Sequence, residues 1–275
     1  MRRTKFEPGK KIAKSLKNVR RKVAVMSGKG GVGKSTVAAN LALSLSKRGL
    51  RVGLLDCDMH GPSIPTLLGI EGERATGTES AEPAIIPISA EGGVEVMSLG
   101  FLLPKRDSAV IWRGPLKMKA IAQLLGDVNW GNLDYMVVDL PPGTGDEPLS
   151  IAQLIPDPDG TVIVTTPQDV ALLTIRRAVN FAREVNLSVL GLIENMSGFV
   201  CPHCGQKVEI FKSGGGESLA SELGIPFLGK IPLDPDIVRS GEKGRPFVLE
   251  PESNSAKIFE NIVDKLEESL NERKK

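Results

Sequence analysis

Short apolar runs alternate along the chain with longer stretches of helical periodicity. Seven apolar runs have the length of buried strands, and they cover residues 23–27, 52–56, 94–98, 135–140, 161–166, 189–194 and 226–231. Six stretches repeat with helical spacing, at residues 34–48, 114–125, 146–155, 169–185, 215–223 and 255–271. Continuous apolar strands separated by helices are typical of a parallel sheet covered on both faces. The pattern therefore predicts an α/β fold, a three-layer αβα sandwich around a mostly parallel central sheet.

Two segments fall outside this alternation. Residues 70–93 are rich in Glu, Gly, Pro and Ala, which predicts a long surface insertion. Residues 1–22 hold ten Lys or Arg and one Glu, a net charge of +9, whereas the whole chain carries +2. We therefore expect a basic, solvated N-terminal arm over residues 1–21, able to contact nucleic acid or an acidic partner, and one acidic folded domain over residues 22–275.

Composition excludes several classes of protein. Of the 275 residues, 41% are hydrophobic and 25% charged, as in ordinary soluble domains. No apolar run approaches the roughly 18 residues of a membrane span, and the basic N-terminus lacks the apolar segment of a secretory signal. Three cysteines do not indicate a disulfide framework. We expect a cytoplasmic protein with no membrane partner.

The chain's most specific motif is Gly-Lys-Gly-Gly-Val-Gly-Lys-Ser at residues 28–35, between a predicted strand and a predicted helix. It satisfies the pattern of a phosphate-binding loop. Glycines let the backbone turn its N–H groups onto an anion, and the following helix adds its positive dipole end. Lys34 is expected to neutralise phosphate oxygens and Ser35 to ligate Mg²⁺. The predicted nucleotide contacts are Gly28, Lys29, Gly30, Gly31, Val32, Gly33, Lys34, Ser35 and Thr36.

Carboxylates follow two of the predicted strands. Asp56 and Asp58 stand at the end of the second strand, and Asp139 ends the strand 135–140. Ligands bind along this edge of open α/β sheets. Asp139 matches a Walker B aspartate, which reaches Mg²⁺ through water. Of Asp56 and Asp58, one is expected to hold a magnesium-bound water and the other to orient the attacking water.

The base pocket is harder to read. Asn195 directly follows the sixth predicted strand and is expected to hydrogen-bond a base edge, although a turn asparagine would look the same. Pro232 is expected to border the base.

Cys201 and Cys204 form a C-x-x-C pair ahead of an apolar segment, which predicts a small hairpin. A thioredoxin-like redox pair would instead open a helix early in its fold. Zinc or a four-iron cluster usually takes four protein ligands, and both accept thiolates. Cys57 is expected to be a buried hydrophobe, and His203 would strain the two-residue spacer.

One chain thus supplies two good ligands, and the inference is a symmetric homodimer with the metal on its two-fold axis. Lys29 supports this arrangement independently. The loop already has Lys34, so a second cation is surplus within one subunit but can reach the partner's phosphates.

Taken together, these motifs resemble the Mrp/ApbC family of iron–sulfur cluster carrier ATPases, which have a deviant Walker A loop and are related to MinD and ParA. The resemblance rests on residues 28–35, the Asp56/Asp58 pair, residues 139–146, residues 195–198 and the cysteine pair. It implies a homodimeric ATPase that binds ATP and Mg²⁺, holds a bridging [4Fe–4S] cluster through Cys201 and Cys204, and passes it to apo iron–sulfur proteins.

The resemblance also implies residue roles. Lys29 is then the signature lysine, Lys34 the phosphate-binding lysine, Ser35 the magnesium ligand, Asp58 the water-orienting carboxylate and Asn195 an adenine contact.

Three other interpretations remain open at this point. A ParA- or MinD-like positioning ATPase would act on DNA or a membrane, but the cysteine pair has no use there, and we do not expect a nucleic-acid partner. A nitrogenase-reductase-like electron carrier would take its cysteines singly from distant segments. A dimer with structural zinc would use the same four sulfurs.

Overall fold

The computed structural model of the chain describes residues 8–58, 61–78, 84–102, 114–250 and 253–273. The helices in these ranges are α1 (Pro8–Ser15), α2 (Lys34–Lys47), α3 (Ile64–Leu67), α4 (Gly114–Gly126), α5 (Asp146–Leu154), α6 (Asp169–Glu184), α7 (Gly215–Leu223), α8 (Pro235–Glu242) and α9 (Asn254–Glu272). The strands are β1 (Val19–Ser27), β2 (Val52–Asp56), β3 (Thr76–Gly77), β4 (Ile85–Ile86), β5 (Ile88–Ser89), β6 (Glu95–Ser98), β7 (Leu133–Asp139), β8 (Gly160–Thr165), β9 (Val189–Glu194), β10 (Phe199–Val200), β11 (Lys207–Val208) and β12 (Phe227–Lys230).

Eight strands form one sheet in the order β12-β9-β8-β1-β7-β2-β6-β5. Only β5 runs antiparallel to its neighbour. The chain moves one way from β1 to β2 through α2 and the other way from β8 to β9 through α6, so right-handed crossovers place these helices on opposite faces. The predicted αβα sandwich with a mostly parallel sheet is confirmed.

All seven predicted strands belong to this sheet, and the six predicted helices are present to within a residue or two at each end. Three further helices, α1, α3 and α8, were not predicted. Helix α3 buries only Ile64 and Pro65, and helix α8 buries no residue. Neither helix therefore has the apolar stripe by which a helix is predicted from sequence.

The N-terminal segment differs from the solvated arm expected over residues 1–21. Residues 1–7 lie outside the described ranges, but residues 8–15 form α1, which packs on α4. Ile12 and Leu16, the residue after the helix, are both buried. The Leu16 N–H donates to the Ile12 carbonyl, so the spacing of four residues puts both side chains on one face. Strand β1 then begins at Val19, ahead of the expected domain boundary.

The predicted surface insertion over residues 70–93 contains β3, β4 and β5, while its residues 79–83 lie outside the described ranges. Strands this short bury too few side chains to leave a periodic pattern. None of the helices in the described ranges combines the length and apolarity that crossing a bilayer requires.

Parallel pairing aligns the ends of the central strands. Register places Ser98, Asp56 and Asp139 side by side on β6, β2 and β7, with Val25 of β1 next in line. The loop after β1 therefore opens beside the predicted carboxylates, at the edge where ligands of open α/β sheets bind.

Candidate functional site

The predicted phosphate-binding loop connects β1 to α2. Gly31 and Gly33 have φ of 76° and 83°, the left-handed conformation that favours glycine. A Cβ at Gly33 would also collide with the side-chain amide nitrogen of Asn195. At the start of the loop, Gly28 lies so close to α6 that a Cβ would overlap the Thr174 side chain. Neighbouring elements thus fix both ends of the loop.

Lys34 and Ser35 converge on Asp139. The Lys34 ammonium lies 2.6 Å from Asp139 Oδ1 and 3.9 Å from Asp58 Oδ2. The Ser35 hydroxyl donates to Asp139 Oδ2 at 2.5 Å. Hydroxyl and carboxylate oxygens are the ligands that Mg²⁺ prefers, so these two side chains fit the predicted magnesium site. Burial raises the pKa of Asp139, and the Lys34 charge opposes that rise.

Asp56 points elsewhere. Both of its carboxylate oxygens accept hydrogen bonds within the protein, Oδ1 from the Asp58 backbone N–H at 3.0 Å and Oδ2 from the Ser98 hydroxyl at 2.9 Å. Burial, and next the neighbouring Asp139 charge, raise its pKa to about 8. The structure therefore brings Asp58 and Asp139 toward Lys34, but it does not bring Asp56 into contact with Lys34 or Ser35. The magnesium role of Asp56 stays a prediction.

Lys29 is partly exposed at the surface of the loop. Its backbone carbonyl accepts a hydrogen bond from Ser27, and within the described ranges its ammonium forms no ion pair. This charge is available to a group outside the chain.

A cavity of about 390 Å³ lies beside the loop, and both predicted base contacts line it. The Asn195 amide donates to the Val32 carbonyl at 2.9 Å, which connects the cavity wall to the phosphate-binding loop. Further lining residues were not predicted from the sequence: Ser63, Thr66, Leu67, Met196, Leu233, Asp234, Ile237, Val238, Gly241 and Glu242. The sequence Asp234-Pro235 could have predicted the start of α8, because proline is common in the first turn of a helix. In the structure the Asp234 side chain caps this helix by accepting from the Asp236 N–H.

The cysteine pair occupies the turn of a hairpin formed by β10 and β11, as predicted. Cys201 is partly exposed and Cys204 exposed. The backbone N–H groups of Cys204 and His203 lower the pKa of the Cys201 thiol, which favours the thiolate that binds metals. Cys57, in contrast, is fully buried, and burial raises the pKa of its thiol. The prediction that Cys57 is a buried hydrophobe is confirmed.

Within the described ranges, no group of three or more His, Cys, Asp and Glu side chains is placed to hold a metal ion. His60, the other histidine of the chain, lies outside those ranges. Within the described part of one chain, the hairpin therefore offers a metal two thiol ligands, Cys201 and Cys204.

A glycine loop between a buried strand and a helix, with an aspartate ending the adjacent strand, defines a P-loop NTPase. A family model described as the NUBPL iron-transfer P-loop NTPase matches residues 18–267, and the chain belongs to this family. The family predicted from the motifs is confirmed.

Curated relatives cover nearly the whole chain. The iron-sulfur cluster carrier protein of Saccharolobus solfataricus is 49% identical over 257 residues, which are 93% of this chain and 86% of the relative. The cytosolic Fe-S cluster assembly factor CFD1 of Kluyveromyces lactis is 46% identical over 261 residues, 92% of each chain.

Solved structures agree with the fold. A nucleotide-binding protein from Archaeoglobus fulgidus, solved in complex with ADP, is 40% identical with a TM-score of 0.78 and covers 91% of this chain and 96% of its own. The cell division ATPase MinD of Pyrococcus furiosus is 23% identical with a TM-score of 0.64, covering 90% and 98%. The second likeness concerns the fold alone.

Proposed function

We propose that this chain is an ATP-hydrolysing iron–sulfur cluster carrier. Two copies hold one [4Fe–4S] cluster between their Cys201 and Cys204 pairs and pass it to apo iron–sulfur proteins. The observation that carries this proposal is the pair of accessible thiols on a hairpin adjoining the nucleotide cavity. The relatives are named as an iron-sulfur cluster carrier and an Fe-S cluster assembly factor, which supports an iron–sulfur cluster as the cargo.

The homodimer follows from ligand number and from one shared face. Val170 and Leu173, at the start of α6, are 69% and 67% exposed. They lie between the phosphate-binding loop, which touches α6 at Thr174, and the hairpin segment, whose Lys212 pairs with Asp169 at 2.5 Å. Exposed apolar residues of this kind mark interaction surfaces. A second copy seated on this face brings the two cysteine pairs together.

The same face gives Lys29 its role. In the dimer its ammonium reaches the partner's phosphates and stabilises charge in the transition state of hydrolysis, as an arginine finger does. Within each subunit Lys34 binds phosphate oxygens, while Ser35 and Asp139 hold Mg²⁺ directly and through water. Asp58 orients the attacking water, and Asn195 and Pro232 contact adenine. Mg²⁺ supplies charge neutralisation at the phosphates when bound.

Anaerobic reconstitution with iron and sulfide tests the cargo. We expect the wild-type chain to take up four irons per dimer, seen as visible absorption, and to elute at the mass of a dimer. The Cys201→Ser/Cys204→Ser variant should stay colourless. Cys57→Ala is the matched control, because it removes the remaining cysteine of the chain without touching the hairpin, and it should load normally.

Two outcomes would contradict the proposal. A colourless wild-type dimer with stoichiometric zinc would make the metal structural. A double-serine variant that still delivered iron and sulfide to an apo iron–sulfur enzyme would remove the hairpin from the transfer.

A further inference from the structure

Both ends of the cysteine hairpin, residues 196–214, meet at one buried carboxylate. Glu194 is the last residue of β9, and its side chain has no exposed surface. On the near side of the hairpin, the Ser197 hydroxyl donates to Glu194 Oε1 at 2.5 Å. On the far side, the backbone N–H of Gly214 donates to Oε1 at 2.8 Å and that of Gly216 to Oε2 at 2.5 Å. A single side chain thus joins the two ends of the insertion.

The sequence around the far end is built for this contact. Gly214 has a φ of 87°, and a Cβ at Gly216 would lie 2.9 Å from Glu194 Oε2. Helix α7 begins here, so its positive dipole end faces the carboxylate. Hydrogen bonds from N–H groups to a charged acceptor are stronger than neutral ones. Ser197 and Ser213 add a hydroxyl contact of 2.9 Å between the two sides.

The residues between Glu194 and Ser197 belong to the nucleotide cavity. Asn195 and Met196 both line it. Met196 has a φ of 57°, a left-handed conformation that is strained for a non-glycine residue. Such a residue persists where its surroundings hold it in place. Here the carboxylate contacts of Glu194 and Ser197 hold the chain on both sides.

A second stretch of the cavity wall also touches the hairpin. The Ser197 backbone N–H donates to the Ile231 carbonyl at 2.9 Å, and the Leu233 N–H donates to the Gly198 carbonyl at 2.8 Å. Leu233 lines the cavity and forms a bridge with Phe199, the first residue of β10. A nucleotide in the cavity would therefore lie against two segments joined to the cysteine hairpin. Asn195 and Met196 precede the hairpin in the chain, and Leu233 is hydrogen-bonded to its base.

We propose that Glu194 is a positioning residue, which fixes the base of the cysteine hairpin and makes its order depend on nucleotide in the adjoining cavity. The biological role of this coupling rests on the proposed function, because it would connect the nucleotide cycle to the cluster ligands. The path runs along the base side of the site, from Asn195, Met196 and Leu233 to the hairpin.

Glu194→Gln tests the role with almost no change in shape. The two carboxylate oxygens accept from three donors, and a glutamine side chain turns one of them into an NH₂ group that faces a backbone N–H. Two donors then oppose each other and one N–H loses its partner. Ser197→Ala is a milder second variant, which keeps the carboxylate and removes one of its donors.

Hydrogen exchange read by mass spectrometry over residues 196–216 measures the order of the hairpin. ADP, at a concentration saturating for each variant, is expected to slow exchange of this segment about threefold or more in the wild type. The ratio with and without ADP should fall to near one in Glu194→Gln and to an intermediate value in Ser197→Ala. Ser269→Ala is the control, because it removes a buried hydrogen bond to Leu190 in the same strand, away from the hairpin.

The proposal is overturned if ADP leaves exchange of the wild-type segment unchanged, or if Glu194→Gln keeps the full ADP effect. Should Glu194→Gln fail to fold, an unaltered ADP effect in Ser197→Ala would overturn it as well. No iron is present in this experiment. The coupling can therefore hold in a zinc-binding protein and fail in a cluster carrier, which separates it from the function proposed above.

Discussion

At the scale of residues, the site buries two carboxyl groups beside a single lysine. Asp56 and Asp139 are fully buried on adjacent strands, and Lys34 contacts Asp139. Burial raises the pKa of both carboxyls; the Asp139 charge adds to the rise at Asp56, and the Asp58 charge adds to the rise at Asp139. Lys34 and Ser35 both hydrogen-bond to Asp139, so the lysine charge acts mainly on that carboxyl group.

Asp56→Asn should stabilise the nucleotide-free protein at pH 8. The pKa of Asp56 rises from 3.8 to about 8 on folding, so the folded chain keeps a proton that the unfolded chain has lost. The free energy of unfolding therefore falls as pH rises across this window and levels off above it. Between pH 6 and 8 the wild type should lose about 2 kcal/mol. Asparagine can accept from the Asp58 N–H and donate its amide N–H to the Ser98 hydroxyl. It should therefore flatten this dependence, as measured by urea unfolding.

Asp134→Asn is the control for this series. Asp134 lies near the start of β7, and the Arg51 backbone N–H lowers its pKa, so it stays ionised throughout the window. A slope that survives in Asp56→Asn, or disappears in Asp134→Asn, would show that another group titrates.

Lys29→Ala should leave ADP binding intact and reduce ATP hydrolysis. The ammonium makes no ion pair within the described ranges, so its removal should not disturb the fold. A cation supplied across an interface raises the rate about a thousandfold or more in other P-loop NTPases, and we expect kcat to fall by about that factor. Phosphate release measures hydrolysis, and ADP titration measures binding.

Lys257→Ala is the control: it removes an exposed lysine of α9, and the variant should hydrolyse ATP normally. Unchanged turnover in Lys29→Ala would remove its cross-subunit role.

At the scale of elements, helix α1 shows how local composition conceals packing. Its lysines suggested a solvated arm, yet Ile12 and Leu16 are each only 1% exposed against α4. The Gly126 backbone approaches Ile12 closely enough that a Cβ would lie 3.3 Å from its side chain. Two apolar residues are too few to predict a docked helix, and only the complementary surface reveals it.

Leu16→Ala should lower the free energy of unfolding by about 3 kcal/mol, the usual effect of truncating a buried leucine. Chemical denaturation of the nucleotide-free protein measures it. Lys17→Ala changes an exposed residue just beyond the helix and should stay within about 0.5 kcal/mol of the wild type. Equal stabilities for the two variants would mean that α1 is not docked in solution.

At the scale of the whole molecule, the face at the start of α6 meets both the phosphate-binding loop, at Thr174, and the cysteine hairpin, at the Lys212–Asp169 pair. Both side chains of the Lys212–Asp169 ion pair on this face are exposed. Exposed ion pairs contribute about 1 kcal/mol at most to stability. The face is therefore available to a second copy, which would join two half-sets of cluster ligands and two nucleotide sites in one interface.

Leu173→Arg should prevent the ATP-dependent dimer, because a charge would be buried against the partner's apolar face. Sedimentation velocity with ATP and Mg²⁺ should give a dimer for the wild type and a monomer for the variant. Ile86→Arg is matched in chemistry, since Ile86 is also exposed (44%), but it lies on β4. Dimerisation of Leu173→Arg, or its loss in Ile86→Arg, would place the interface elsewhere.

Much of the fold was predictable because its long strands and helices bury continuous apolar faces, as in β7 and α6. Elements with little burial were not predictable. Helix α8 has no buried residue, yet it supplies part of the cavity wall. The predicted surface insertion likewise concealed short strands, because two-residue strands carry no period.

The local order of residues by itself determined the phosphate-binding loop, the sequence of strands and helices, and the presence of two cysteines on a small hairpin. These features depend on neighbours along the chain, where spacing alone dictates backbone geometry. Only the tertiary structure decided that Asp139, and not Asp56, contacts Lys34 and Ser35, and that Glu194 closes the hairpin beside the base cavity. Contacts of this kind join residues far apart in the chain, and they depend on how strands align and helices dock.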